Sequence, residues 1–176
     1  MNSLNTCWKD YTETCGHIIG SDGTRFHPGL DTNGVDNKVN LYSSSLFRSL
    51  SMIHKKDYTF KGIKVARYEM EEQNFILSLE HNKCYCPDKE KNIDGISMCD
   101  FNGLLDISLC REAPIIISAP HFLYGSPELL NYIKGVEPNL SKHESYIDVD
   151  PVTGIALKGR KRLQINVYVR AHKFGQ

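Results

Sequence analysis

The strongest pattern in the chain lies near its end. Leu163, Ile165, Val167 and Val169 are apolar, and Arg162, Gln164, Asn166, Tyr168 and Arg170 alternate with them. A period of two predicts a long strand with one face on a core and the other in solvent, as in antiparallel sheets. Residues 145–149 precede it as a second extended run. Asp150-Pro151-Val152-Thr153-Gly154 between them places aspartate, proline and glycine where a tight turn uses them, so a hairpin is predicted.

Upstream, residues 104–107 and 114–118 read as buried strands, the second rich in isoleucine and bounded by Pro114 and Pro120. Residues 61–70 also read as extended, with Ile63 and Val65 on one side and Ala66 and Tyr68 on the other. Two helices are predicted. Leu46, Leu50 and Ile53 follow a run of serines at helical spacing, which suggests two or three turns from residue 43. Ser126 as N-cap, Pro127 and Glu128 in the first turn, and Gly135 as terminator frame the other, with Leu129, Leu130 and Ile133 as its inward face. Residues 16–40 are dense in glycine, aspartate and asparagine and read as mostly irregular. Residues 82–100 show little periodicity. The class is therefore β-rich α+β with short helices.

Length and charge narrow the picture. A chain of 176 residues is enough for one core. Lysine plus arginine equal aspartate plus glutamate at 21 each, so the average field does not attract nucleic acid. No run of about 18 apolar residues exists, the longest apolar stretch being 113–119, and the opening residues do not read as a signal peptide. Residues 1–176 are expected to be part of a longer protein whose remaining portion covers the edge left by the last strand.

Candidate chemistry points to covalent staples more than to catalysis. Six cysteines, at 7, 15, 84, 86, 99 and 110, form an even set with four in a loop-rich stretch, as a disulfide framework does. Zinc needs four converging ligands, usually in C-x-x-C pairs, whereas Cys84 and Cys86 enclose one residue. An oxidising compartment follows. Among the histidines at 17, 27, 54, 81, 121, 143 and 172 there is no H-E-x-x-H, and no G-x-S-x-G or glycine-rich phosphate loop is present. His121, between apolar neighbours, reads as structural. No catalytic residue, metal or cofactor is predicted. Gly159-Arg160-Lys161-Arg162 reads as the polar end of the long strand, and Asn139-Leu140-Ser141 is an N-glycosylation sequon in a turn.

Taken together, these residues resemble the class B scavenger receptors. Cys110, Ala113-Pro114-Ile115 and Ser118, Pro120-His121-Phe122 are similar to that family's signature. The likeness continues through Gly135-Val136-Glu137-Pro138-Asn139, His143-Glu144-Ser145, Pro151-Val152-Thr153-Gly154 and Lys161-Arg162-Leu163-Gln164. Upstream it takes in Cys15-Gly16, Gly20-Ser21-Asp22-Gly23, Arg48-Ser49 and Lys61-Gly62. It is collinear over nearly the whole chain.

The resemblance implies part of an antiparallel β-barrel-like ectodomain, its middle-to-late portion, with a membrane anchor at each end outside residues 1–176. It implies a plasma-membrane or lysosomal receptor whose segment here is extracellular or lumenal. The implied work is binding hydrophobic ligands such as fatty acids, sterols or lipoprotein lipid and passing them through a cavity. The alternative is a recognition or trafficking receptor with lipid secondary and a protein ligand. Bridges Cys15–Cys84 and Cys86–Cys99 carry over from the family. Phe47 stands where the family has a cysteine that would pair with Cys110, which leaves Cys7 as the candidate partner. Asn139 remains the one standard glycan acceptor, because Ile19 replaces the asparagine of a family sequon. Ile115, Ile117, Leu163, Ile165, Val167 and Val169 are the candidate cavity lining.

Overall fold

The computed structural model describes residues 6–8, 13–34, 37–86 and 97–169. Lys61 and Gly62 set its largest element. Both adopt positive φ, 49° and 82°, the combination a two-residue hairpin needs to match strand twist. They join β2 (Arg48–Phe60) to β3 (Ile63–Met70) in one antiparallel ladder, with a bulge between His54 and Lys56.

β1 (Lys38–Ser43) pairs with the other edge of β2, and β6 (Tyr146–Val149) and β7 (Ala156–Arg160) extend the sheet beyond β3. The result is a five-stranded antiparallel sheet in the order β1-β2-β3-β6-β7. A smaller sheet, β4-β5-β8, contains β4 (Leu105–Asp106), β5 (Ile115–Ser118) and β8 (Gln164–Val167). Helices are single turns: α1 (Glu13–Gly16), α2 (Ser108–Arg111) and α3 (Leu140–His143). The chain is thus mostly β with a curled antiparallel sheet and few short helices.

Three expectations are corrected. Residues 43–53 are not a helix but a turn at 44–47 followed by β2. Leu50 and Met52 alternate with Ser49 and Ser51, and the ladder to β1 and β3 satisfies the backbone that a helix would have used internally. The segment after Ser126 is a short 3-10 turn, Pro127–Asn131, in which Leu129 is buried while Leu130 and Ile133 are exposed. The Ser126 hydroxyl accepts the Asn102 N–H instead of capping it. The long return strand is two strands in two sheets. β7 pairs with β6, residues 161–163 leave the ladder, and β8 pairs with β5. Arg170 and His172 lie outside the described residues.

The turn at 150–154 forms as expected. Gly154 N–H donates to Asp150 O (2.8 Å) and Asp150 N–H to Ile155 O (2.9 Å). Gly154 has φ 74°, and a Cβ there would stand 2.3 Å from Phe26 O, so only glycine fits. That approach lets Phe26 N–H donate to Gly154 O and brings Phe26 and Leu30 over the sheet.

One face of the large sheet presents Val39, Met52, Ala66, Tyr68, Ile147 and Val149 to Phe26 and Leu30. Beside them, Leu46, Leu50, Met70 and Phe75 pack on Leu105, Ile107 and Ile117 of the smaller sheet. On the opposite face Asp148, fully buried, accepts two hydrogen bonds from Arg67 (2.7 and 2.8 Å) and one from the Tyr58 hydroxyl (2.7 Å). Asp148 and Arg67 are cross-strand partners, and this pairing keeps a buried carboxylate satisfied.

Three disulfides staple the rest: Cys7–Cys110, Cys15–Cys84 and Cys86–Cys99. Trp8, Cys15 and Tyr85 form a small core among them. Trp8 Nε1–H donates to Phe47 O (2.7 Å), and Arg111 lies 4.8 Å from the Phe47 ring centroid.

Candidate functional site

The inner face of the large sheet is not filled along its whole length. Leu41 and Leu50, paired across β1 and β2, Met52 and Met70, paired across β2 and β3, and Ile147 of β6 form the floor of a cavity of about 270 Å³. Leu46 and Leu163 add apolar walls. Gly159 of β7, opposite Ile147 in register, leaves the space above Ile147 open because it carries no side chain.

The mouth is polar. It carries Asp22, Ser43, Ser145, Arg160 and Lys161. Lys161 Nζ donates to Ser43 Oγ (2.8 Å) and to Ser45 Oγ. Among the described residues no carboxylate ion-pairs with Lys161. Burial lowers its pKa from the ordinary lysine value, the direction expected for an ammonium desolvated without a counter-charge. The arrangement is an apolar trough with a cation held at its entrance by two hydroxyls. It suits an amphiphile with an anionic head.

Only part of the sequence-derived lining reaches this trough. Leu163 lines it directly, and Ile117 and Ile115 pack in the adjoining core. Ile165, Val167 and Val169 do not: they are 71%, 67% and 82% exposed. Their polar neighbours take the inward side, Gln164 Oε1 accepting the His121 N–H (2.8 Å) and Asn166 donating to Ile116 O (3.2 Å) and Ser118 Oγ (3.1 Å). Burial of those amides with partners turns the apolar stripe outward. Lys161, read from sequence as the solvated end of a strand, is exposed and also stands at the cavity mouth.

A second, polar pocket of about 190 Å³ lies on the other face of β2, lined by His17, His81, Glu71, Asn74 and Asn82 among others. Beside it Arg48 is buried, donates to Asn82 Oδ1 (2.8 Å) and stacks 3.8 Å above the Tyr85 ring. Among the described residues its Nε and Nη1 have no hydrogen-bond partner, and burial pushes the guanidinium down to about 10. Arg48 and Tyr85 both belong to the pocket's lining, with those two nitrogens buried.

Asn139 is exposed, as a glycan acceptor must be. Its Oδ1 caps α3 by accepting the Lys142 N–H (3.1 Å) and the Ser141 hydroxyl (2.7 Å), while Nδ2, the atom that carries a sugar, is not used in either bond. His121 and His143 stack in parallel, ring centroids 4.3 Å apart. His54 contacts Asp57 (2.8 Å). Among the described residues no three or more histidine, cysteine, aspartate or glutamate side chains converge as a metal site, and no helix is long and apolar enough to cross a membrane.

Comparison with known proteins gives a family for the chain. A model of the CD36 family matches residues 1–176. Lysosome membrane protein 2 of Mus musculus is 36% identical over 160 residues, 90% of this chain and 31% of the relative. Sensory neuron membrane protein 2 of Drosophila melanogaster is 33% identical over 172 residues, 96% of this chain and 30% of the relative. Sensory neuron membrane protein 1 of Mamestra brassicae is 35% identical over 162 residues, 92% and 28%. The chain therefore spans about a third of the length of these relatives.

Proposed function

Because the chain belongs to the CD36 family of scavenger-receptor-type membrane glycoproteins, we propose that it is part of a receptor ectodomain that binds hydrophobic ligands and passes them on. The observation that carries this reading is the open apolar trough under Lys161. A fully packed domain fills such space, because an empty apolar cavity forfeits dispersion contacts. A trough kept open on the sheet is economical only if something occupies it.

The ligand that fits best is a single-chain amphiphile with a carboxylate, its head on Lys161 and the serine hydroxyls and its tail over Met52 and Met70. Each methylene buried there contributes about 0.8 kcal/mol, so the tail supplies most of the affinity. The ammonium then selects acid over alcohol. Sterols and lipoprotein lipid remain within the same ligand class. The membrane anchors belong to portions of the protein outside residues 1–176, this segment lies on the extracellular or lumenal side, and Asn139 carries its glycan.

Dodecanoate and dodecanol distinguish the two contributions. Calorimetric titration of each into the protein is expected to favour the acid, and Lys161→Gln to weaken dodecanoate roughly tenfold, as loss of one charge-assisted hydrogen bond does, while leaving dodecanol unchanged. Gly159→Ile, whose added Cβ meets Tyr146 O and Ile147 at ordinary contact distances, is expected to weaken both. If neither compound binds, or if Gly159→Ile has no effect, the lipid reading fails and a protein-recognition receptor becomes the better account.

A further inference from the structure

Residues 137–143 link the 3-10 turn at Pro127–Asn131 to β6, and two imidazoles hold their start, His121 from outside the segment and His143 from within α3. His121 Nδ1 accepts the Glu137 N–H (3.0 Å), and His143 Nδ1 accepts the Asn139 N–H (3.1 Å). A nitrogen that accepts a hydrogen bond carries no proton, so each ring is neutral with its hydrogen on Nε2. The rings are stacked at 1° to one another. His121 is held in the left-handed region at φ 55°, and Phe122 and Tyr124 follow at 55° and 69°, a run that non-glycine residues adopt only when their surroundings impose it.

We infer that the His121–His143 stack is a proton-operated latch: at neutral pH it fastens residues 137–143, and on acidification it releases them. Protonating Nδ1 turns that ring's acceptor into a donor facing a backbone N–H, which removes its own fastening bond, to Glu137 for His121 and to Asn139 for His143. Protonation of both rings sets two cations 4.3 Å apart. The groups around the stack oppose its protonation. Burial, then His121, then the like charges of Lys142 in α3 and Arg162 before β8 lower the His143 pKa. Glu137 engages through its backbone N–H, Glu144 Oε2 accepts the Tyr124 hydroxyl while its buried Oε1 has no partner among the described residues, and among those residues no carboxylate ion-pairs with either ring. Nothing compensates the double charge.

The sign follows from linkage. A histidine whose folded pKa is depressed is protonated more readily in the open state, so the fastening is complete above the ordinary histidine value near 6.5 and is lost as pH falls below it. The released segment carries Asn139, and the strain at residues 121–124 relaxes with it.

Amide hydrogen exchange of the whole chain, corrected for intrinsic rate, tests this. Protection at Glu137 and Asn139 is expected to fall roughly tenfold or more between about pH 7.5 and about pH 5, while β2–β3 amides stay protected. In the His121→Asn, His143→Asn double variant, Oδ1 takes the place of Nδ1 but does not titrate, so protection is expected to be independent of pH. Flat protection in the unaltered protein, or nitrogen chemical shifts showing Nδ1 protonated at neutral pH, overturns the inference whether or not the variant folds.

Discussion

Replacing Cys7 by serine isolates the bridge that sets this chain apart from the pattern it resembles. Cys7–Cys110 joins residues 103 apart in sequence, whereas Cys86–Cys99 joins residues 13 apart. In the chain-entropy account a loop of the first size contributes about 4.7 kcal/mol and one of the second about 3 kcal/mol. Cys7→Ser is therefore expected to destabilise the fold by about 1.7 kcal/mol more than Cys86→Ser. With a guanidinium m-value of about 4 kcal/mol/M, the two midpoints should differ by about 0.4 M.

The same change has an optical reporter. Trp8, the sole tryptophan, is 1% exposed, packs edge-on to Tyr85 at 5.3 Å and donates to Phe47 O. Cutting its tether is expected to shift its emission to the red before the sheet unfolds, which Cys86→Ser does not do. Phe47 lies against both Trp8 and Arg111, next to Cys110, so Phe47→Cys in the Cys7→Ser background is expected to form a new bridge to Cys110 and recover most of the lost stability. Equal midpoints for the two single variants, with Trp8 emission unmoved, refute the reasoning.

Asp148→Ala is expected to cost about 3–5 kcal/mol, because it strands the Arg67 guanidinium beside Tyr58 and Tyr146 without its buried partner; urea unfolding measures it, and Arg67→Met combined with Asp148→Leu should recover most of the loss. Glu144→Gln is expected to be neutral or stabilising at pH 7. Burial raises the Glu144 pKa above the ordinary carboxylate range, so in the folded state the neutral acid is favoured, and this site's contribution is present at low pH and lost as pH rises through the raised value. Thermal unfolding at about pH 4.5 and 7 checks it: the gap between variant and parent should widen at the higher pH.

Much of the sheet was legible in local pattern. The turn at 150–154 announces itself through Asp150 and Gly154, and Ile115–Ser118 through its β-branched run between prolines. The misread elements were those whose periodicity serves two geometries. Leu46, Leu50 and Ile53 fit a helical stripe, yet Leu50 and Met52 alternate with serines just as well, and pairing with β1 and β3 decided the matter. In β8 the strand was legible but its orientation was not. Gln164 and Asn166 find partners inside, on His121, Ile116 and Ser118, and this outweighs burial of Ile165 and Val167 in these residues. Lys161 shows the limit for the site itself: the basic run reads as solvated and is exposed, but only the fold brings its ammonium to two serines over a hundred residues away in sequence, beside an apolar trough. The His121–His143 stack, 22 residues apart and on different segments, leaves no local signal.

Photoreactive labelling tests the central claim most directly. A fatty acid with a diazirine in its chain, incubated with the protein and mapped by peptide mass spectrometry, is expected to label residues of the trough floor, Leu41, Leu50, Met52 and Met70, and to be displaced by unlabelled dodecanoate. Labelling that is confined to the exposed stripe of Ile165, Val167 and Val169, or that dodecanoate fails to displace, contradicts a ligand bound within the sheet.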